Sequence, residues 1–433
     1  MFEELPLSSG YARSYMLDSR LLHTESEIAA AYSDLMSFLP LASNESIAGL
    51  LHMRLCTFKD IRRSLERISS LQNADDIELF EVKHLILLGF SISDSMMDAG
   101  FADLAPDMGE AGKYLGMLDP DGNRTSTFYI YDSYSEHLAR LRSRIASECD
   151  QEARLALMEE ERQEECRIRA DICRKLAPGK EFLLGLQEKL AKTDILLAKA
   201  LQVLKSGLCI PEISQGKHMC FKGLFNPLVL ESLKASGKKY IPVDIEMEDM
   251  PVVIIGANMG GKTVVLKTVA LCHYCFALGM GIPAASASIA PVDEVFFISG
   301  DAQDLQTGLS SFAAEMKSID RAVRAAAAKD RRILAVIDEP ARSTNPIEGA
   351  AIVAALVEIM ARNGASLLLT THYNIRTGNC IRLKVAGLVN GIMNYRLCPA
   401  PEGEVPHEAL DVAESLNISP EWTGEAKKLL EHE

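Results

Sequence analysis

Apolar residues recur at helical spacing through residues 25–97, as in Ile28, Tyr32, Leu35 and Met36, and no β-rich run interrupts them. This stretch is therefore expected to be mostly helix. Asp119-Pro120-Asp121-Gly122-Asn123 is a strong turn signal, and residues 125–131 after it carry the pattern of a short β segment. From 133 to 204 the pattern is helical again, interrupted at Pro178-Gly179. The first part is charge-laced, with pairs such as Glu165/Arg169 and Asp171/Lys175. The second repeats Leu183, Leu186, Leu190, Leu196 and Leu197. A helical hairpin or lever arm is the expected form. Around Gly207 and Pro211 the pattern shifts to strands, and residues 251–255, 332–339 and 366–371 are apolar runs of the kind found in a buried parallel sheet. Residues 408–417 and 420–431 read as two short helices, the second opened by Ser419 as cap with Pro420 in its first turn. The expected organisation is multidomain, α followed by α/β: a helical core and lever-arm region over 1–205, then an α/β domain over 206–433 ending in a helix-turn-helix from about 405.

A chain of 433 residues with 48% hydrophobic content has ample material for two or three domains. Its ten cysteines are irregularly spaced, and there is neither a signal-peptide pattern nor an apolar run near 18 residues. A reduced, cytoplasmic protein with no membrane partner is expected. Cys272-His273-Tyr274-Cys275 invites a metal reading but falls within an apolar helix and has no matching second pair, so core packing is the better reading. The net charge of −15 speaks against a broad phosphate-binding surface. The basic patches at Arg62-Arg63, Arg140/Arg142/Arg144 and Lys238-Lys239 are short.

Residues 256–263, Gly256-Ala257-Asn258-Met259-Gly260-Gly261-Lys262-Thr263, form a complete G-x-x-x-x-G-K-[ST] phosphate loop between an apolar strand and a helix at 264–278. Glycines let backbone N–H groups crowd around phosphates, Lys262 neutralises the β/γ charge, and the Thr263 hydroxyl reaches Mg²⁺. The helix dipole favours the anion. ATP and Mg²⁺ are the implied cofactors. About 75 residues on, the strand at 332–339 ends in Asp338-Glu339. Such acids are often plain strand-end solvation, but after a phosphate loop they read as a metal-binding Asp338 and a water-polarising Glu339. His372 follows the third strand directly and is the candidate γ-phosphate sensor.

Four motifs in order make the chain resemble the MutS mismatch-repair ATPases: Asn258-Met259-Gly260-Gly261-Lys262-Thr263, the stretch from Asp304-Leu305-Gln306-Thr307-Gly308-Leu309-Ser310 to Met316, Asp338-Glu339 and Thr371-His372-Tyr373. Phe225-Asn226-Pro227-Leu228 resembles the family segment near the adenine, which makes Asn226 a nucleotide-binding candidate. The resemblance implies an ABC-like ATPase domain that pairs into a homodimer, Ser310 reaching the γ-phosphate bound on the opposite subunit, and a terminal helix-turn-helix packed on the partner ATPase. Two departures stand out. Leu309 replaces the usual Arg, and Ala341-Arg342-Ser343-Thr344-Asn345-Pro346 replaces Gly-Arg-Gly-Thr-Ser-Thr, with Pro346 expected to stiffen the loop. The family implies a DNA clamp under ATP control. However, about 205 residues ahead of the ATPase are too few for mismatch-reading and connector domains plus a full core, and no Phe-x-Glu wedge stands in a plausible N-terminal domain. Weak DNA binding indifferent to a mismatch is expected. The alternative, favoured by the acidity, is an ATP-driven factor remodelling a protein client, similar to those that reactivate cobalamin-dependent aminomutases. A nucleotide-binding scaffold without turnover is disfavoured by the presence of both Asp338 and Glu339.

Overall fold

A computed structural model describes residues 1, 3–70, 74–256, 261–299, 311–328, 330–389, 392–401 and 418–430. The chain forms two compact units, one of Met1, Leu21–Ser33 and Lys205–Glu433, the other of Phe2–Arg20 and Asp34–Leu204. The short segment Leu21–Ser33 thus clusters with the α/β unit although it lies far upstream in sequence. Its Leu22 N–H donates to the Ala277 carbonyl at 2.8 Å and the Tyr32 hydroxyl to the Met280 carbonyl at 2.9 Å.

The second unit is helical. Helix Asp76–Asp98 starts with a capping box, in which Asp75 accepts from the Glu78 N–H while the Glu78 carboxylate accepts from the Asp75 N–H. Helix Gln151–Leu176 is capped by Asp150, and a single 3₁₀ turn at Ala177–Gly179 separates it from helix Lys180–Ser206. The charge pairs on the first arm form, Arg169 to Glu165 at 3.1 Å and Lys175 to Asp171 at 2.7 Å. Residues 125–131 differ from expectation and make no strand. Two of their carbonyls are taken by side chains instead. Lys83 Nζ, fully buried on helix Asp76–Asp98, donates to the Thr127 carbonyl, to the Tyr131 hydroxyl and to the Asp119 carboxylate at 3.0–3.1 Å, and Arg142 donates to the Ile130 carbonyl at 2.8 Å. The turn before them forms: the Gly122 N–H donates to the Asp119 carbonyl at 3.0 Å, with Gly122 at φ 67°.

The α/β unit holds two sheets. The smaller one orders β1 (Glu212–Ile213), β5 (Ser286–Ile289), β2 (Met219–Leu224) and β3 (Val243–Met247) as β1-β5-β2-β3, mostly antiparallel. The larger takes β4 (Val252–Ile255), β6 (Glu294–Ser299), β7 (Ile333–Asp338), β8 (Ser366–Thr371), β9 (Ile381–Val389) and β10 (Ile392–Pro399) in the order β10-β9-β4-β8-β7-β6. Five of these run parallel, and β10 folds back antiparallel on β9. The mostly parallel sheet expected from the three apolar runs is present. Every residue of β4 and β8 is buried, which is why β4, and β8 after Ser366, read as apolar or β-branched runs rather than alternating ones. Helices Ser311–Ala327 and Pro346–Asn363 supply Ile319, Ala322, Val353, Val357 and Met360 to a core built on the β7 and β8 side chains. At the chain's end helix Pro420–Leu430 forms with Ser419 at its start, while the helix expected at 408–417 lies outside the described residues. Among the described residues no helix is long and apolar enough to cross a membrane.

Candidate functional site

Strand β4 sits in the middle of the large sheet between β8 and β9 and delivers Gly256 at its carboxyl end. Gly256 takes φ 137° and Gly261 φ 71°, backbone conformations that glycine adopts without strain. At Gly261 an added Cβ would also stand 3.0 Å from the Tyr395 ring. Helix Lys262–Ala277 starts immediately after. The strand, glycine turn and helix of the phosphate-loop expectation are therefore in place. The middle of the loop, Ala257, Asn258, Met259 and Gly260, lies outside the described residues, as does Ser310 with the stretch 304–310.

Lys262, 2% exposed, donates from Nζ to the Gly256 carbonyl and lies 3.4 Å from Glu339 Oε1. Arg342 stands 3.7 Å from the other Glu339 oxygen. The Thr263 hydroxyl donates to Asp338 Oδ2 at 2.8 Å. Strands β7 and β8 are in register with Asp338 opposite Thr370, and the Thr370 hydroxyl donates to Asp338 Oδ1 at 2.6 Å while accepting the Glu339 N–H at 3.0 Å. One buried hydroxyl thus fixes both acids. Sequence reasoning missed Thr370. The only trace of it was a Thr-Thr pair closing an otherwise apolar strand.

The turn after β7 is unusual. Glu339 and Ala341 both adopt left-handed backbone, at φ 46° and 59°, a conformation that costs a non-glycine residue on the order of 1–3 kcal/mol and clusters at functional sites. Pro346, expected to stiffen this loop, stands at its far end. It opens helix Pro346–Asn363 behind the Asn345 cap, where a missing N–H removes no helical hydrogen bond.

His372 follows β8, partly open to solvent. Partial burial of the ring holds its pKa below the ordinary histidine value, against an opposing pull from Glu339 and with help from Lys262 and Arg342. It is therefore mostly neutral at pH 7 and able to offer a ring N–H as a donor. Asn226 occupies a structural position. Its Oδ1 caps helix Pro227–Ala235 through the Val229 N–H at 3.3 Å, and its Nδ2 donates at 3.1 Å to Thr268 on the helix that begins with Lys262. Cys272, His273 and Cys275 are buried. Burial pushes the Cys272 thiol well up and His273 down to about 4, and His273 Nε2 lies 3.1 Å from Met219 Sδ. Among the described residues no three His, Cys, Asp or Glu side chains group as metal ligands.

The arrangement is a cation and a hydroxyl at a helix start, facing two consecutive carboxylates at the end of β7. Residues 252–385, which contain all of it except Asn226, match the family model of MutS domain V. This stretch is therefore similar to a MutS domain V. Among its relatives, the endonuclease MutS2 of Enterococcus faecalis is 30% identical over 290 residues, which cover 63% of this chain and 34% of that protein. The endonuclease MutS2 of Geobacillus thermodenitrificans is 35% identical over 216 residues, 49% of this chain and 26% of that protein. The DNA mismatch repair protein MutS of Brevibacillus brevis is 31% identical over 229 residues, 52% of this chain and 25% of that protein. The chain thus spans a quarter to a third of the length of these curated relatives.

Proposed function

We propose that the chain is a Mg²⁺-dependent ATPase that acts as a dimer and couples its nucleotide state to the grip on a partner. The observation that carries this reading is the convergence of Lys262, Thr263, Asp338 and Glu339 within hydrogen-bond or ion-pair distance at the end of the large sheet. Lys262 would leave Gly256 and Glu339 for the β and γ phosphates, freeing the Glu339 carboxylate to orient and polarise a water molecule. The oxygens of Thr263 and Asp338, 2.8 Å apart, suit a hard cation that takes oxygen ligands. Mg²⁺ held there would neutralise phosphate charge. His372, neutral at pH 7, would donate to the γ-phosphate, and Ser310 of a second copy would approach from across the dimer. Asn226 would act on the nucleotide indirectly, by fixing Thr268 on the phosphate-loop helix.

For the partner, the relatives' names point to DNA, and a DNA-associated clamp is the first reading. The endonuclease activity named for some of them is not carried over, because the match covers 34% of their length or less. The net charge of −15 and the acidic arm around residues 159–165 favour the second reading, an ATP-driven remodelling factor that grips a protein client through residues 25–204, such as a cobalamin-dependent aminomutase. Fluorescence anisotropy with matched and mismatched duplexes, with ATP and without nucleotide, separates the two. Weak, mismatch-indifferent binding that disappears between roughly 50 and 200 mM salt would favour the protein client. Nanomolar, mismatch-selective binding at physiological salt would establish the repair reading instead.

A further inference from the structure

Both backbone groups of Ala341, the second left-handed residue after Asp338, are taken by side chains from other elements. Its N–H donates to Glu315 Oε2 at 3.2 Å and its carbonyl accepts the Tyr373 hydroxyl at 2.7 Å, all buried. The two side chains come from informative places. Glu315 lies on helix Ser311–Ala327, which continues the stretch containing Ser310, and Tyr373 is the residue after His372, its ring centroid 4.2 Å from the imidazole. Space for the tyrosine is provided by Gly349, where an added Cβ would fall 2.5 Å from the Tyr373 hydroxyl. Burial raises the pKa of both the Glu315 carboxyl and the Tyr373 phenol, as befits groups placed to bond a peptide unit rather than water. The Tyr373 N–H is itself anchored on the Thr371 hydroxyl at 3.0 Å.

We propose that Glu315 and Tyr373 are positioning residues that clamp the Ala341 peptide and thereby hold the Glu339 turn in its left-handed form, with the carboxylate directed at the phosphate site. The clamp joins the helix after Ser310 and the segment of His372 to the acid that activates water, so either one can change turnover by releasing a single hydrogen bond. This rests on the ATPase reading above, with Glu339 as the base. Both side chains are engaged with the Ala341 backbone, so loss of the clamp lowers kcat and leaves nucleotide affinity alone.

The test is steady-state ATPase kinetics with calorimetric ATP binding on four variants of the full chain: Tyr373→Phe, Glu315→Ala, Glu315→Gln and Glu339→Gln. Tyr373→Phe keeps the ring in the core and removes only the hydroxyl. It and Glu315→Ala should each lower kcat about tenfold or more, the scale of one hydrogen bond acting at the transition state, with ATP Kd and KM within about twofold of wild type. Glu315→Gln keeps an acceptor oxygen and should recover most of the rate, which a purely packing role would not distinguish. Wild-type kcat in both Tyr373→Phe and Glu315→Ala, beside a silent Glu339→Gln, would overturn the clamp and leave the ATPase reading standing. Wild-type turnover by Glu339→Gln would overturn both, since the clamp would then hold no base.

Discussion

His273 is a fully buried imidazole in the helix that starts with Lys262, and burial holds its pKa at about 4 against an ordinary value of 6.5. A depressed folded-state pKa contributes stability that is present above the unfolded value and lost as pH falls through the folded one. The α/β unit should thus weaken between about pH 6.5 and 4, by roughly 2 kcal/mol at pH 5 from this group alone. Melting of wild type and His273→Leu at pH 7 and pH 5 checks it: the wild type should lose more on acidification than the variant, and equal losses would remove His273 as the cause. At this scale the sequence was most informative where chemistry dictates residue type. Gly256, Gly261, Lys262, Thr263, Asp338 and Glu339 stood out in the sequence, because a phosphate loop and a strand-end acid pair are spelled by few residue types, and the structure brings their side chains or turns to one end of the large sheet. Thr370, Glu315 and Tyr373 could not be given their roles, because a hydroxyl between two acids and a bond to the Ala341 backbone depend on strand register and turn conformation. The Asn226 amide was expected at the adenine and is occupied by a helix cap and Thr268.

Helices and strands were legible wherever periodicity was long or apolar runs were unbroken. Strand β8 occupies the residues expected of it and β7 falls within 332–339. Residues 125–131 were misread because strand-forming side chains are only half of a strand, and two of the carbonyls that a ladder needs, those of Thr127 and Ile130, are claimed by Lys83 and Arg142. Lys83 and Asp119 form a wholly buried ion pair at 3.1 Å. Removing one partner of such a pair strands the other charge and typically costs about 3–5 kcal/mol, so Lys83→Met should lower the stability of the helical unit by that order in urea unfolding. A loss under about 1 kcal/mol would mean that Asp119 is adequately served by the Arg124 N–H, which it accepts at 2.7 Å. Asn226→Ala is milder. Loss of its cap on helix Pro227–Ala235 should cost about 1 kcal/mol, read as a small drop in Tm, together with weakened ATP binding if Thr268 needs its anchor.

On the scale of the whole molecule, the change from helical to strand pattern near Gly207 placed the expected division, but the membership of Leu21–Ser33 in the α/β unit could not be read, since it is made by hydrogen bonds to Ala277 and Met280 more than 240 positions away. If Ser310 completes a site in trans, mixing Ser310→Ala with Lys262→Ala subunits should restore part of the activity that each lacks, because one site of the mixed dimer keeps an intact set. Turnover by a strictly monomeric species at all concentrations would rule that assembly out. The most direct test of the ATPase itself is titration calorimetry with ATP and Mg²⁺ alongside phosphate release. Lys262→Ala should not bind ATP, and Glu339→Gln should bind it as wild type does while releasing no phosphate. A Glu339→Gln protein that turns over at the wild-type rate, or a Lys262→Ala protein that binds ATP normally, would contradict the site as built here.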